Sequence, residues 1–161
     1  MNWHIRRMRN PDVEEIMQLS LLAWEPVFAS FEQILGSEIY PIVYPDWRGS
    51  QRKAIEDVCR EPENTLVWVA EREEQVVGFV AYELNHTEEK GEVQLLAVHP
   101  DHQNLGIGTA LSDFALQKMI EAGMKLAIVR TGGDPSHAPA RRAYEKSGYT
   151  GIPSVIYFKK L

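Results

Sequence analysis

Apolar positions along this chain change period twice, and each change marks a change of element. Val13, Ile16, Met17, Leu19, Ser20, Ala23 and Trp24 recur at three- and four-residue spacing. That stripe predicts a helix entered through Asn10-Pro11-Asp12, with proline in its first turn, and limited by Pro26. Phe28, Phe31, Ile34, Leu35, Ile39, Ile42 and Val43 suggest a second helix, made irregular by Gly36 and Pro41. Residues 45–49 read as a turn, and Ser50 can cap a third helix reaching about Arg60. From Thr65 the period shortens. Residues 65–71, TLVWVAE, and 76–84 are rich in β-branched residues around a polar turn at 73–75, which predicts a hairpin. After a polar turn at 85–91, Val93, Leu95, Leu96, Ala97 and Val98 form a nearly unbroken apolar run ended by Pro100, as expected of a strand covered on both faces.

Helical spacing then returns with Ile107, Leu111, Phe114, Ala115, Met119 and Ile120, up to Gly123. Residues 124–130 read as a strand and 131–135 as a loop. Ser136 is a helix cap, Pro139 suits the first turn, and the helix runs to Lys146 with Gly148 closing it. Residues 4–8 predict a short edge strand. Two final strands are expected around Tyr149 and over 154–159. The sum is an α/β fold: one domain over 1–161 with a mixed, mainly antiparallel sheet and helices on both faces. Helices fill residues 1–62, and the strands of 65–161 make the rest.

Composition narrows the class. The chain has 161 residues, 44% of them hydrophobic and 25% charged, as in a globular domain, and no apolar run approaches a membrane span. No signal-peptide apolar region follows the N-terminus, so a cytoplasmic location is expected. Cys59 is the one cysteine, which excludes an internal disulfide. The five histidines show no H-x-x-x-H spacing, so no metal is expected. A net charge of −6 argues against a nucleic-acid partner. It is compatible with a phosphate held by main-chain N–H groups, and mildly favours a cationic acceptor.

The junction at 92–109, EVQLLAVHPDHQNLGIGT, feeds a buried strand into a glycine loop at a helix start. Unpaired first-turn N–H groups and the helix dipole favour an anion there, and Gly106 and Gly108 let a pyrophosphate approach the backbone. No Gly-Lys pair makes it a P-loop, and Leu111 stands where a dinucleotide fingerprint needs its third glycine. Residues 98–108 instead read V-x-P-x-x-Q-x-x-G-x-G, which resembles motif A of the GNAT acyltransferase superfamily. Residues 140–149, ARRAYEKSGY, resemble that family's motif B at the expected distance.

The resemblance implies an N-acetyltransferase that uses acetyl-CoA, a sheet splayed beside the motif A strand, and a coenzyme A arm pairing with Leu96, Ala97 and Val98. Residues 65–161 would form the cofactor-binding core and 1–62 the acceptor side. Gln103, Asn104, Leu105, Gly106, Ile107, Gly108 and Thr109 would cradle the pyrophosphate. Tyr144 matches the family's general acid, and Glu92 the strand position that carries a general base, acting directly or through water. His137 stands where the family often has asparagine. Trp24, Phe28 and Tyr44 are candidates to line the pocket of a small-molecule or peptide amine. A homodimer is a family-level expectation. The rival reading is a non-catalytic acyl-CoA-binding module, a sensor or interaction partner.

Overall fold

The computed structural model describes residues 2–60 and 65–161; residues 61–64, where the sequence draws the boundary between its two parts, lie outside the described residues. Five strands form one sheet in sequence order: β1 (His4–Arg7), β2 (Thr65–Arg72), β3 (Gln75–Asn85), β4 (Lys90–Val98) and β5 (Leu126–Val129). The first three pairings are antiparallel and β4–β5 is parallel. The mixed sheet predicted from patterning is therefore present. The β2–β3 hairpin closes through Glu73 and Glu74, both at positive φ (52° and 64°), the geometry of a two-residue primed turn matched to the strand twist.

Strand alternation divides the core in two. Val67, Val69, Phe79, Ala81 and Ala97 face a layer that includes Ile16 and Leu19 of α1 (Asp12–Val43) and Ile55 and Cys59 of α2 (Trp47–Arg60). Val77, Val80, Tyr82, Val93 and Val98 face α3 (Ile107–Glu121) through Ile107, Leu111, Ala115 and Met119. Burial pushes the Cys59 thiol up to about 11, so it acts as a core hydrophobe.

Four expectations change. Pro26 does not end the first helix: α1 continues through it to a kink at Gly36 (φ 72°). Proline removes the N–H that would bond the Leu22 carbonyl, and Leu22 lies on an exposed part of the helix (44% exposed), where a lost backbone bond costs least. The cap of α2 is Asp46, whose Oδ1 accepts the Gly49 N–H at 3.0 Å, so the helix begins three residues before the expected Ser50 cap. The two final strands do not form within the chain's own sheet. Residues 149–161 adopt no strand, and those from 150 onward are exposed. Ser136 does not cap the last helix: α4 (Ala138–Lys146) follows a short 3₁₀ turn at Pro135–His137 that contains Ser136 and is capped by Asp134.

Candidate active site

The site begins where the sheet comes apart. Parallel pairing of β4 with β5 runs from Lys90 opposite Leu126 to Val93 opposite Val129 and stops, while β4 continues to Val98. A bulge falls at the same point: Tyr82 faces Val93 and Ala81 faces Leu95, leaving Gln94 as the extra residue. Beyond it, the His99 N–H donates to the Val77 carbonyl at 2.9 Å. Antiparallel strands direct main-chain groups alternately to either side, so Ala97 and Leu95 point toward β3, and Leu96 and Val98 point to the edge that β5 has left. Leu96 thus presents its main-chain groups to the gap and Val98 its N–H; Ala97 spends its own on β3. Gln103 turns its side-chain amide back to the Val98 carbonyl at 3.2 Å, so it braces the loop.

The loop ends in an anion-binding geometry. Asn104 (φ 61°) and Gly106 (φ 81°) are both left-handed, and Gly106 is the N-cap of α3 with no side-chain cap. The first helical bond is from the Ala110 N–H to the Gly106 carbonyl, 3.0 Å, which leaves the N–H groups of Ile107, Gly108 and Thr109 as the orphan donors of the first turn. A Cβ on Gly108 would stand 3.5 Å from Val98 and 4.0 Å from Leu96, so the helix start lies directly against the free edge of β4. Asn104, Leu105 and Thr109 are exposed around this turn, whereas the Ile107 side chain is buried and offers only main chain.

α4 is tied at its two ends to α1 and α3. Its leading turn is fastened to α1: Ser30 donates to Asp134 at 2.8 Å, and the Phe31 and His137 rings stack at 6.0 Å. Its end reaches α3 through Ser147 and Asp113, 3.4 Å. Asp134 also accepts hydrogen bonds from the Ser136 N–H and from the Nδ1 of His137, and Arg141 donates to its main-chain carbonyl at 2.8 Å. Burial opposes ionisation of Asp134, yet hydrogen bonds from Ser136, His137 and Ser30 hold it down to about 2. His137 is thereby fixed in place by a carboxylate. Tyr144, farther along α4, packs edge-on against Tyr149 at 5.7 Å, and burial raises its phenol above the usual tyrosine range.

Glu92 lies on β4 opposite Glu83 and Ile128, and its carboxylate accepts from the Arg130 Nε at 2.8 Å. Together these four residues line part of a cleft of about 570 Å³ beside the end of β5 and the β3–β4 turn. Among the acceptor-side candidates, Phe28 and Tyr44 come together, 5.3 Å between rings, in a cluster with Phe31 and Trp47. Trp24 packs on the core beneath the sheet instead. Asp134, Ser30 and Phe31 were not singled out by sequence. The signal that could have found Asp134 is the D-P-S-H run before α4, in which an aspartate can cap the following turn.

Residues 24–149 match the Acetyltransferase (GNAT) family. The chain belongs to that family. A mycothiol acetyltransferase of Streptomyces coelicolor is 28% identical over 108 residues, 66% of this chain and 34% of that protein. The chain thus spans about a third of the length of such curated relatives. Among solved structures, the PaiA N-acetyltransferase of Thermoplasma acidophilum, in complex with coenzyme A, superposes with a TM-score of 0.74 at 19% identity, covering 96% of this chain and 94% of the other. A GNAT family acetyltransferase of Brucella melitensis, in complex with acetyl-CoA, gives a TM-score of 0.64 at 24% identity, covering 92% and 83%. These likenesses show the GNAT fold. No helix among the described residues is long and apolar enough to cross a membrane.

Proposed function

We propose that this chain is an acetyl-CoA-dependent N-acetyltransferase acting on a primary amine by direct attack in a ternary complex. The observation that supports this most is the free edge of β4, presenting Leu96 and Val98, running into the uncapped first turn of α3. An extended amide-bearing arm can pair with such an edge as an added strand, and a pyrophosphate suits the N–H groups of Ile107, Gly108 and Thr109. The residues present fit coenzyme A. Acetyl-CoA, when bound, supplies an activated thioester.

The remaining work falls to side chains and main chain around the gap. The Leu96 N–H is the donor for a developing oxyanion, since it is held rigidly by β4 and has no strand partner on that side. Glu92 takes a proton from the acceptor ammonium, directly or through water, and the neighbouring Glu83 adds negative charge that attracts a cation. Tyr144 holds a proton for the leaving thiolate. Its raised pKa keeps the phenol neutral, as an acid must be. Phe28, Tyr44 and His137 form an aromatic wall suited to the acceptor side.

Thiol release from acetyl-CoA against a panel of small-molecule and peptide amines tests the assignment, with calorimetric binding of coenzyme A in parallel. Release that depends on one amine class, and that falls about 10²-fold or more in Tyr144→Phe at unchanged coenzyme A affinity, is the expected result. A second reading is a non-catalytic acyl-CoA-binding module, favoured by the engagement of Glu92 with Arg130. Tight binding with no release on any amine would support it, and no binding would overturn both.

A further inference from the structure

We infer that His137, oriented by Asp134, is a second proton acceptor in the proposed transfer: its Nε2 takes the proton that the acceptor nitrogen must shed after attacking the thioester. This role rests on the N-acetyltransferase reading above and adds a step to it.

The chemistry asks for two acceptors. An ammonium becomes an amide nitrogen by losing two protons. Glu92 takes the first, which frees the lone pair for attack, and is then a carboxylic acid with no charge left for the second. Attack forms the N–C bond and leaves that nitrogen cationic, with one proton more than an amide carries. Transfer of this proton to Nε2 lets the oxyanion's electron pair reform the carbonyl as the C–S bond breaks, and the departing thiolate takes the proton of Tyr144. Glu92 and His137 gain two protons, Tyr144 gives one, and one proton per turnover leaves for solvent.

The 3₁₀ turn before α4 is built to hold such an acceptor. Asp134 uses Oδ2 for the Ser30 hydroxyl at 2.8 Å and the Ser136 N–H at 3.1 Å, and offers Oδ1 to the Nδ1 of His137. A carboxylate can only accept, so in the neutral ring the proton sits on Nδ1 and Nε2 keeps its lone pair. Nε2 has no hydrogen-bond partner among the described residues and is not enclosed. The side chains of Asp134 and His137 are 7% and 19% exposed, so the carboxylate is sheltered while the ring stays within reach. Gly132 makes room for the pair: a Cβ there would stand 2.5 Å from both Asp134 Oδ1 and His137 Nδ1. Arg141 of α4 is the charged neighbour, its guanidinium donating to the main-chain carbonyls of Gly132 and Asp134 at 2.5 and 2.8 Å, and α1 faces the pair with the uncharged Ser30 and Phe31.

The position suits the role. Side chains alternate along β4, so Glu92, next to Val93 on the α3 face, points to the face covered by α1. Ser30 and Phe31 of α1 hold Asp134 and His137. The chain arrives there by leaving β5 at Val129, where the sheet parts. Tyr144 lies about two turns farther along α4.

The test takes the amine that releases most thiol with the parent. In His137→Asn, which keeps an N–H donor and cannot take a proton, kcat is expected to fall about 10²-fold or more while KM for the amine and calorimetric coenzyme A affinity stay within a few-fold. Thermal unfolding followed by circular dichroism checks that the variant is folded. A folded variant with kcat within a few-fold of the parent overturns the role of His137 and leaves the N-acetyltransferase reading standing. A loss carried by coenzyme A affinity makes His137 a cofactor contact and overturns the role equally, whereas a parent that releases thiol with no amine removes the reading and the role together. A second measurement needs no turnover: ¹⁵N-histidine spectra of the parent, assigned through variants of the other histidines, are expected to show the proton of the neutral His137 ring on Nδ1, and Asp134→Asn is expected to shift it toward Nε2. A parent ring protonated on Nε2, or a tautomer unchanged in Asp134→Asn, overturns the arrangement.

Discussion

At the scale of single residues, Glu92 is held between two opposed influences. Glu83 is its direct cross-strand neighbour, a like charge, while Arg130 engages it from the cleft rim. The Arg130 side chain is 75% exposed, and ion pairs of that kind contribute between nothing and about 1 kcal/mol. In the proposed mechanism an acceptor ammonium displaces Arg130 at small cost, leaving Glu92 beside the nitrogen. Glu92→Gln is expected to lower kcat/KM by about 10²-fold or more, with coenzyme A affinity unchanged. Arg130→Ala should stay within a few-fold of the parent. Steady-state rates of the two variants decide it: equal losses, or none in Glu92→Gln, would remove the base assignment. In the proposed mechanism Tyr144 sets the opposite limb: since burial raises its pKa above 10.0, its own ionisation should cause no fall in rate below that value in a pH–rate profile.

At the scale of elements, the left-handed Gly106 lets the loop stop and α3 start without a side-chain cap. A Cβ there meets nothing within 4 Å, so the cost of Gly106→Ala is backbone conformation only, about 1 kcal/mol. Gly108 makes ordinary contacts at its imagined Cβ and has no positive φ, so Gly108→Ala should be milder. Thermal unfolding of both variants checks the order, and a larger loss for Gly108→Ala would contradict it. This junction was legible because glycine spacing and an unbroken apolar run are local signals. The hairpin at 73–74 was legible for the same reason. Pro26 misled because its cost depends on whether water reaches Leu22, a property of the fold. Asp46 in place of Ser50 was a choice between two good caps that only the start of α2 could settle. The spent amide of Gln103 was hidden because a motif position does not reveal which carbonyl lies behind it. The strands expected after Tyr149 were legible as strand-forming sequence, yet residues 149–161 adopt no strand, because strand propensity does not supply a pairing edge.

At the scale of the whole molecule, one guanidinium ties three elements that are distant in sequence. Arg6 on β1 donates to both carboxylate oxygens of Asp12 on α1, at 2.7 and 2.9 Å, and through Nε to Glu71 on β2 at 2.6 Å. All three side chains are largely buried, at 13%, 8% and 17% exposure, so α1 is pinned to the sheet edge by a paired charge cluster. Hydrogen bonds from Arg6 hold both carboxyls below their ordinary values of 3.8 and 4.5. For groups depressed by folding, the stabilisation is complete above the unfolded pKa values and disappears as pH falls through the lower, folded ones. Folding stability is therefore expected to be flat from these two groups above about pH 5 and to drop steeply as they protonate below it. Arg6→Met leaves Asp12 with only the Arg9 N–H and Glu71 with only His4 among these partners, which costs up to about 3–5 kcal/mol at neutral pH. The same change removes the cause of the depressed pKa values, so the variant should lose less additional stability on acidification than the parent. Urea unfolding midpoints of both proteins between pH 7 and pH 3 measure the two effects together. Parallel curves would show that the cluster does not govern the acid limb, and coincident curves would show that it does not hold α1 to the sheet.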